Sequence, residues 1–335
     1  MEEVIQVRGL KKYFGKVKAV DDISFSVERG ELFGFLGING AGKSTTINML
    51  CTLFRPTAGE ILIGGSVSGR EDEAIRRRIG VVYQNNCLDD RLTVRENLLI
   101  RGSLYEKDGR KLKENIEQVC RRLRLEDTLD RHFGMLSGGQ KRKCEIARAL
   151  LHTPEILFLD EPTTGLDPAT RKTVWESLEK LRQEGMTIFL TTHYMEEAAK
   201  CRHIAVMDGG KIREYGTPFL LKEKYSRDRL RLMAKPEKRA LLEAGLEELG
   251  SRWEEHFTEK TQKDPERKPD EKSKEEDAGC LYDIFLQDSM MAIPILKRTE
   301  EFLEGFELVQ GSMDDVFLNI TGKNLEDRSE GQCEK

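Results

Sequence analysis

At 335 residues the chain is long enough for one large domain and a smaller one, each burying a core of its own. Its 55 Lys and Arg nearly cancel its 60 Asp and Glu, and a formal charge of -5 excludes the one-signed basic field of a nucleic-acid binder. The opening Met1-Glu2-Glu3-Val4-Ile5 lacks the basic and apolar stretches of a secretory signal. No run reaches the roughly 20 apolar residues that span a bilayer. Any membrane-spanning part is therefore expected on another chain.

The first two-thirds of the chain alternate short apolar runs with amphipathic segments, the βα pattern of a parallel sheet covered by helices. Residues 32–36, 79–83, 156–159 and 187–190 are strand candidates, apolar on both faces as buried parallel strands are. Chemistry in such sheets gathers at the carboxyl ends of the strands. Gly64-Gly65 and Asp208-Gly209-Gly210 punctuate two strand pairs as hairpins, which predicts an antiparallel portion and a mixed sheet. From Arg229 to Met233 apolar and other residues alternate as in a strand, and 237–249 has helical spacing. Residues 259–277 are nearly all charged or proline and are expected to form a mobile surface loop. Beyond them come a strand at 280–287, a helix at 289–302, a strand at 306–309 and a short helix at 314–320, which makes a small α+β domain of ferredoxin-like order. The expected division is a main α/β domain over 1–222, the small α+β domain over 223–322 and a disordered tail over 323–335. The seven cysteines (Cys51, Cys87, Cys120, Cys144, Cys201, Cys280 and Cys333) are odd in number and form no CxxC pair, so they read as reduced cytosolic thiols.

The strongest motif is Gly37-Ile38-Asn39-Gly40-Ala41-Gly42-Lys43-Ser44-Thr45, which follows a strand candidate and opens an amphipathic helix. Glycines let the backbone amides of such a loop turn inward, and the helix start adds partial positive charge where phosphates sit. The pattern predicts a nucleotide triphosphate site, with Lys43 reaching the β- and γ-phosphates and Ser44 binding Mg²⁺. A second motif is the apolar run 156–159 ending in Asp160 and Glu161. Acids leaving a buried strand beside a phosphate loop suit Mg²⁺, held by Asp160 through a water, and a base, Glu161, that orients and deprotonates an attacking water. Two acids at a strand end also occur as solvated turn residues.

The third motif is Leu136-Ser137-Gly138-Gly139-Gln140, ahead of a segment with Cys144, Ala147, Leu150 and Leu151 at helical spacing. Ser137 and Gln140 fit a capping box that simply starts a helix, yet two glycines inside a cap serve close backbone approach better than helix stability. With this LSGGQ sequence beside a phosphate loop, the chain resembles the ATP-binding-cassette (ABC) family over residues 5–221.

The resemblance implies an α/β phosphate-loop ATPase fold of the ABC type, with a mixed sheet, helices and a helical signature subdomain, followed by the small α+β domain. It implies ATP and Mg²⁺ as cofactors. Ser137, Gly138, Gly139 and Gln140 are then expected to close over ATP held by another protomer, in a homodimer or pseudo-dimer joined through two ATP molecules. Gln84 matches the family glutamine that touches Mg²⁺ and senses the membrane subunit. Asp167 matches the loop linking the two sites, and His193 the histidine that contacts the γ-phosphate and supports Glu161. Phe14, with Tyr13 as its fallback, matches the aromatic that stacks on adenine, and Val20 is expected to line the same face. Ile38 departs from the proline common after the first loop glycine.

One cassette in one chain, with no long heptad insertion, fits the ATPase subunit of a transporter at the cytoplasmic face of a membrane. The segment Ser312-Met313-Asp314-Asp315-Val316-Phe317-Leu318 is similar to the end of bacterial drug-resistance and sodium-extrusion cassettes. That likeness implies export of a drug, antibiotic, ion or lipid-like cargo through a separate permease, with residues 85–99 facing it. The alternative is a soluble cassette ATPase acting on ribosomes, DNA or cofactor assembly.

Overall fold

Two long strands open the chain, β1 (Glu3–Phe14) and β2 (Val17–Glu28), paired as an antiparallel hairpin. Ile5, Val7 and Leu10 on the first and Ile23, Phe25 and Val27 on the second are buried. A register shift between Val7 and Leu10 keeps both on the inner side despite their odd spacing. β3 (Leu32–Leu36) leads into α1 (Lys43–Leu50), and β4 (Ala58–Ile63) with β5 (Ser66–Val67) completes a first antiparallel sheet of order β2-β1-β4-β5. The computed structural model describes residues 2–249, 253–257, 280–286 and 289–322. The segment 259–277 and the tail 323–335 lie outside them.

After α2 (Asp72–Arg78) and β6 (Ile79–Val82) the chain makes three helices that pack on one another: α3 (Val94–Gly102), α4 (Gly109–Leu123) and α5 (Gly138–Leu150). α4 buries Leu112, Ile116, Val119 and Leu123, one stripe at spacings of three and four. Then follow β7 (Ile156–Asp160), α6 (Pro168–Gln183), β8 (Thr187–Thr192), α7 (Met195–Ala198), β9 (His203–Asp208) and β10 (Lys211–Gly216). A second sheet has the order β10-β9-β3-β8-β7-β6, parallel except for the β9–β10 hairpin, and is mixed as expected. The carboxyl ends of β3, β8, β7 and β6 therefore lie side by side along one edge.

Between the two sheets, around α1, one apolar cluster includes Ile5, Leu10, Phe33, Ile47, Phe158 and Phe189. Phe33 stacks on Phe189 with centroids 5.2 Å apart. Burial of each such ring is worth about 1.5–3 kcal/mol, so this cluster anchors the edge that carries the site.

A second compact unit runs from Phe219 to Gly322, against a first unit that ends at Pro218. Its elements are α8 (Pro218–Tyr225), β11 (Asp228–Ala234), α9 (Arg239–Glu248), β12 (Trp253–Phe257), β13 (Cys280–Leu286), α10 (Ala292–Thr299), β14 (Leu303–Val309) and α11 (Met313–Thr321). Between α8 and α11 the order is βαββαβ, with all pairs antiparallel in the sequence β12-β13-β11-β14, the ferredoxin-like arrangement. Leu230, Leu232, Tyr282 and Ile284 form its core with Leu242, Leu246 and Ile295. Two details differ from expectation. β12 is an additional strand, and the helix at 289–302 is a shorter α10 flanked by 3₁₀ turns at 289–291 and 300–302. Pro294 lies in the first turn of α10, where a missing amide hydrogen breaks no helical bond.

Candidate active site

The turn from β3 into α1 fits glycine and little else. Gly42 has φ +107°, and a Cβ there would stand 2.3 Å from Ala19 O; at Gly37 it would stand 2.5 Å from Met207 O. No side chain caps the amides that open α1. Asn39, Gly40 and Ser44 are exposed, Thr45 is half-buried and Ala41 is buried. Ile38, partly buried, packs against the main core through its side chain.

Lys43 is 4% exposed, and its Nζ donates to Gly37 O at 2.6 Å and Ile38 O at 3.2 Å. Burial lowers its ammonium pKa from the ordinary lysine value, with the charge of Glu161 opposing. Ser44 Oγ donates to Asp160 Oδ1 at 3.3 Å, and Thr191 Oγ1 donates to the same oxygen at 2.5 Å. Thr191 also accepts from Glu161 N at 3.0 Å, so one threonine at the end of β8 orders both acids at the end of β7.

Glu161 sits in the left-handed region, with φ +46°, a conformation that a non-glycine residue keeps only when its surroundings fix it. Its Oε1 is 3.4 Å from Lys43 Nζ, and its Oε2 accepts from Gln84 Nε2 at 3.3 Å and Thr164 Oγ1 at 3.1 Å. His193 Nδ1 is 3.5 Å from Oε2, outside hydrogen-bond geometry, and this buried nitrogen has no hydrogen-bond partner among the described residues. The nearby His193 ring and then the Lys43 charge hold the Glu161 carboxyl down to about 2, against the opposing effect of burial. Lys43, Ser44, Gln84, Asp160, Glu161 and His193 thus meet at one sheet edge, each delivered by one of four neighbouring parallel strands.

The remaining expected residues stand apart from this cluster. Ser137 caps α5 in a full capping box: Gln140 N donates to Ser137 Oγ at 3.3 Å and Ser137 N donates to Gln140 Oε1 at 3.1 Å. Gly138 is exposed and Gly139 buried, and a Cβ on Gly139 would lie 2.2 Å from Thr170 Cγ2 of α6. Among the described residues, no hydrogen bond or ion pair joins residues 137–140 to Lys43, Ser44, Asp160 or Glu161. Asp167 caps α6, accepting from Thr170 N at 3.0 Å. Phe14 is 47% exposed, edge-on to Phe54 with Lys12 Nζ 5.0 Å from its centroid. Tyr13 is tied by its hydroxyl to Asp21 at 2.6 Å, which leaves Phe14 as the free aromatic. Val20 is fully buried in the core and presents no surface of its own.

Thr191 escaped the sequence reading, although it stands two residues before His193 at the end of a strand candidate. Glu197 did too: it is 1% exposed and accepts from Thr163, from Thr192 Oγ1 at 2.6 Å and from Trp175 Nε1 at 2.9 Å. It ties the ends of β7 and β8 to α6, and the only signal was an acid on a short amphipathic segment. Cys87 is half-buried, and burial raises its thiol pKa, away from a reactive thiolate.

The family described as ABC transporter matches residues 20–164. The Nod factor export ATP-binding protein I of Rhizobium sp. (strain N33) is 46% identical over 222 residues, 66% of this chain and 73% of that protein. The daunorubicin/doxorubicin resistance ATP-binding protein DrrA of Streptomyces peucetius is 37% identical over 331 residues, 97% of this chain and 94% of that protein. Among solved structures, a dimeric post-hydrolysis state of the ATP-binding cassette MJ0796 bound to ADP and Pi is 27% identical, with a TM-score of 0.58 over 64% of this chain and 98% of that one.

Proposed function

The chain belongs to the ATP-binding proteins of the ABC transporter family, and on that premise we propose how its residues drive transport. Residues 1–222 act as the nucleotide-binding domain and 223–322 as a separate α+β domain. The observation that supports this most is the convergence of Lys43, Asp160, Glu161, Gln84 and His193 at adjoining strand ends.

Each residue has a task that its surroundings suit. The loop amides and the start of α1 receive the phosphates, and Lys43 exchanges Gly37 O and Ile38 O for phosphate oxygens. Among the described residues no group of three His, Cys, Asp or Glu could hold a metal alone, so the donors that fit are the oxygens of Ser44, Asp160 and Gln84, a hard set suited to Mg²⁺. Mg²⁺ held by them would supply charge neutralisation for the phosphates. Glu161 takes the proton of the attacking water, and His193 steadies that carboxylate and the γ-phosphate. Phe14 stacks on adenine. Ser137, Gly138, Gly139 and Gln140 contact the ATP of a second protomer, with Asp167 at the junction, which accords with their separation from Lys43 within one chain.

Export through a separate permease is supported by the two relatives' names, one for drug resistance and one for Nod factor export. No helix among the described residues is long and apolar enough to cross a membrane, in keeping with a peripheral subunit at the cytoplasmic face. The cargo class, a drug, antibiotic, ion or lipid-like molecule, is set by the permease. The test is ATP turnover against protein concentration, wild type beside Glu161→Gln, followed by co-purification from membranes. Turnover rising faster than linearly, lost in the variant and accompanied by a permease is expected; concentration-independent turnover with a soluble partner sinks the reading.

A further inference from the structure

Arg142 lies in the second turn of α5, is 6% exposed, and spends its guanidinium entirely on backbone carbonyls. Its Nε donates to Pro162 O at 2.7 Å, one terminal nitrogen to Asp160 O at 3.0 Å and the other to Tyr83 O. These carbonyls lie immediately before and after Glu161 and immediately before Gln84. We propose that Arg142 is a positioning residue for ATP hydrolysis, fixing the backbone on both sides of Glu161 and so setting where its carboxylate stands.

Two features carry the assignment. Glu161 holds a left-handed φ of +46°, and a rigid planar fork joining the carbonyls before and after it is a device that keeps such a backbone in place. Each of the three guanidinium nitrogens has a carbonyl partner, an arrangement that a planar fork spans from one side chain and the single nitrogen of an ammonium does not. The neighbouring turns of the same helix face continue the grip. Glu145 accepts from Leu88 N at 2.9 Å and from Cys87 N, and Arg148 donates to Val81 O at 2.7 Å. α5 thus holds residues 81–88 and the Glu161 turn as one body, and it begins at Ser137. A helix that touches one nucleotide at its start therefore sets the hydrolytic carboxylate of the other site from its flank.

The proposal rests on Glu161 being the base, and the experiment separates the two ideas. The full chain is prepared as wild type, Glu161→Gln, Arg142→Met and Arg142→Lys, the last keeping charge and stem length if the methionine variant does not fold. ADP affinity, ATP turnover and the dimer fraction with ATP on a sizing column are measured for each. A misplaced reacting group costs about 100-fold, so both Arg142 variants are expected to lose about 10- to 100-fold in turnover, to bind ADP within about threefold of wild type, and to accumulate ATP dimers as Glu161→Gln does. That dimer trap is what a general structural defect does not produce. Turnover of the Arg142 variants within about twofold of wild type, beside an inactive Glu161→Gln, removes Arg142 alone, as does loss of turnover together with ADP binding or without trapped dimers. Wild-type turnover in Glu161→Gln removes the base assignment and the proposal with it.

Discussion

Lys43 Nζ and Glu161 Oε1 lie 3.4 Å apart, with the two side chains only 4% and 9% exposed. A carboxylate leaning on an ammonium is a weak base, because the positive charge that keeps it ionised lowers its proton affinity. Phosphate entering the loop competes for that ammonium. Under the proposed function, nucleotide arrival loosens one of the contacts that suppress Glu161, and its basicity rises as the reacting groups assemble.

This pairing makes a prediction about acid stability without nucleotide. The Glu161 carboxyl titrates at about 2 in the folded chain, below its ordinary value of 4.5. A depressed folded pKa gives stability that is present above the unfolded value and is lost as pH falls through the folded one. Wild type is expected to be more stable than Glu161→Gln at pH 7, and the gap to narrow between about pH 4.5 and 2, read as denaturant midpoints for both proteins. A gap that stays constant over that window contradicts it.

Gly139 faces Thr170 so closely that a methyl group cannot enter. Gly139→Ala is expected to destabilise the chain by about 1–3 kcal/mol, the usual cost of overpacking. Thr170→Ser, which removes the Cγ2 atom 2.2 Å from that Cβ position, is expected to restore most of the loss. Thermal unfolding of the two single variants and the double decides it: if their effects simply add, the contact is not the cause.

Phe14 and Tyr13 are neighbours with opposite prospects. Phe14→Ala is expected to weaken ATP binding by about 1–3 kcal/mol, the worth of an aromatic stacked on a base, with little change in unfolding temperature. Tyr13→Phe loses only the hydroxyl that donates to Asp21 and is expected to leave ATP affinity unchanged. Fluorescent-nucleotide titration of both variants checks this, and unchanged affinity in Phe14→Ala would mean that adenine lies elsewhere.

What the sequence made legible was whatever depends on local spacing. The four buried strands 32–36, 79–83, 156–159 and 187–190 stood out as continuous apolar runs, and β3, β6, β7 and β8 begin where those runs begin. The hairpin glycines at 64–65 and 209–210 marked their turns for the same reason. β1 and β2 were not singled out, because bulges break the period-two pattern just where a charged face such as Lys11-Lys12 interrupts it. β12 was hidden in a stretch rich in acids, where only pairing with β13 makes a strand. In the site, glycine and acid motifs named Lys43, Ser44, Asp160 and Glu161 through fixed offsets. Thr191, Glu197 and Arg142 have no such offset, since each has partners 18 to 59 residues away, besides the nearby Thr192 of Glu197. Pairings of that kind exist only once the chain has folded.

In the proposed dimer, the capping box at the start of α5 has a consequence for how fast two protomers lock. Ser137 Oγ receives Gln140 N and Gln140 Oε1 receives Ser137 N, so the cap consumes acceptors and leaves the hydroxyl hydrogen and the amide NH₂ unspent. The tip shown to the outside is rich in donors, and it is held in that state before any partner arrives. The helix turn that carries these donors is already formed by the cap. In the proposed dimer, the cap adds no local melting step to the encounter.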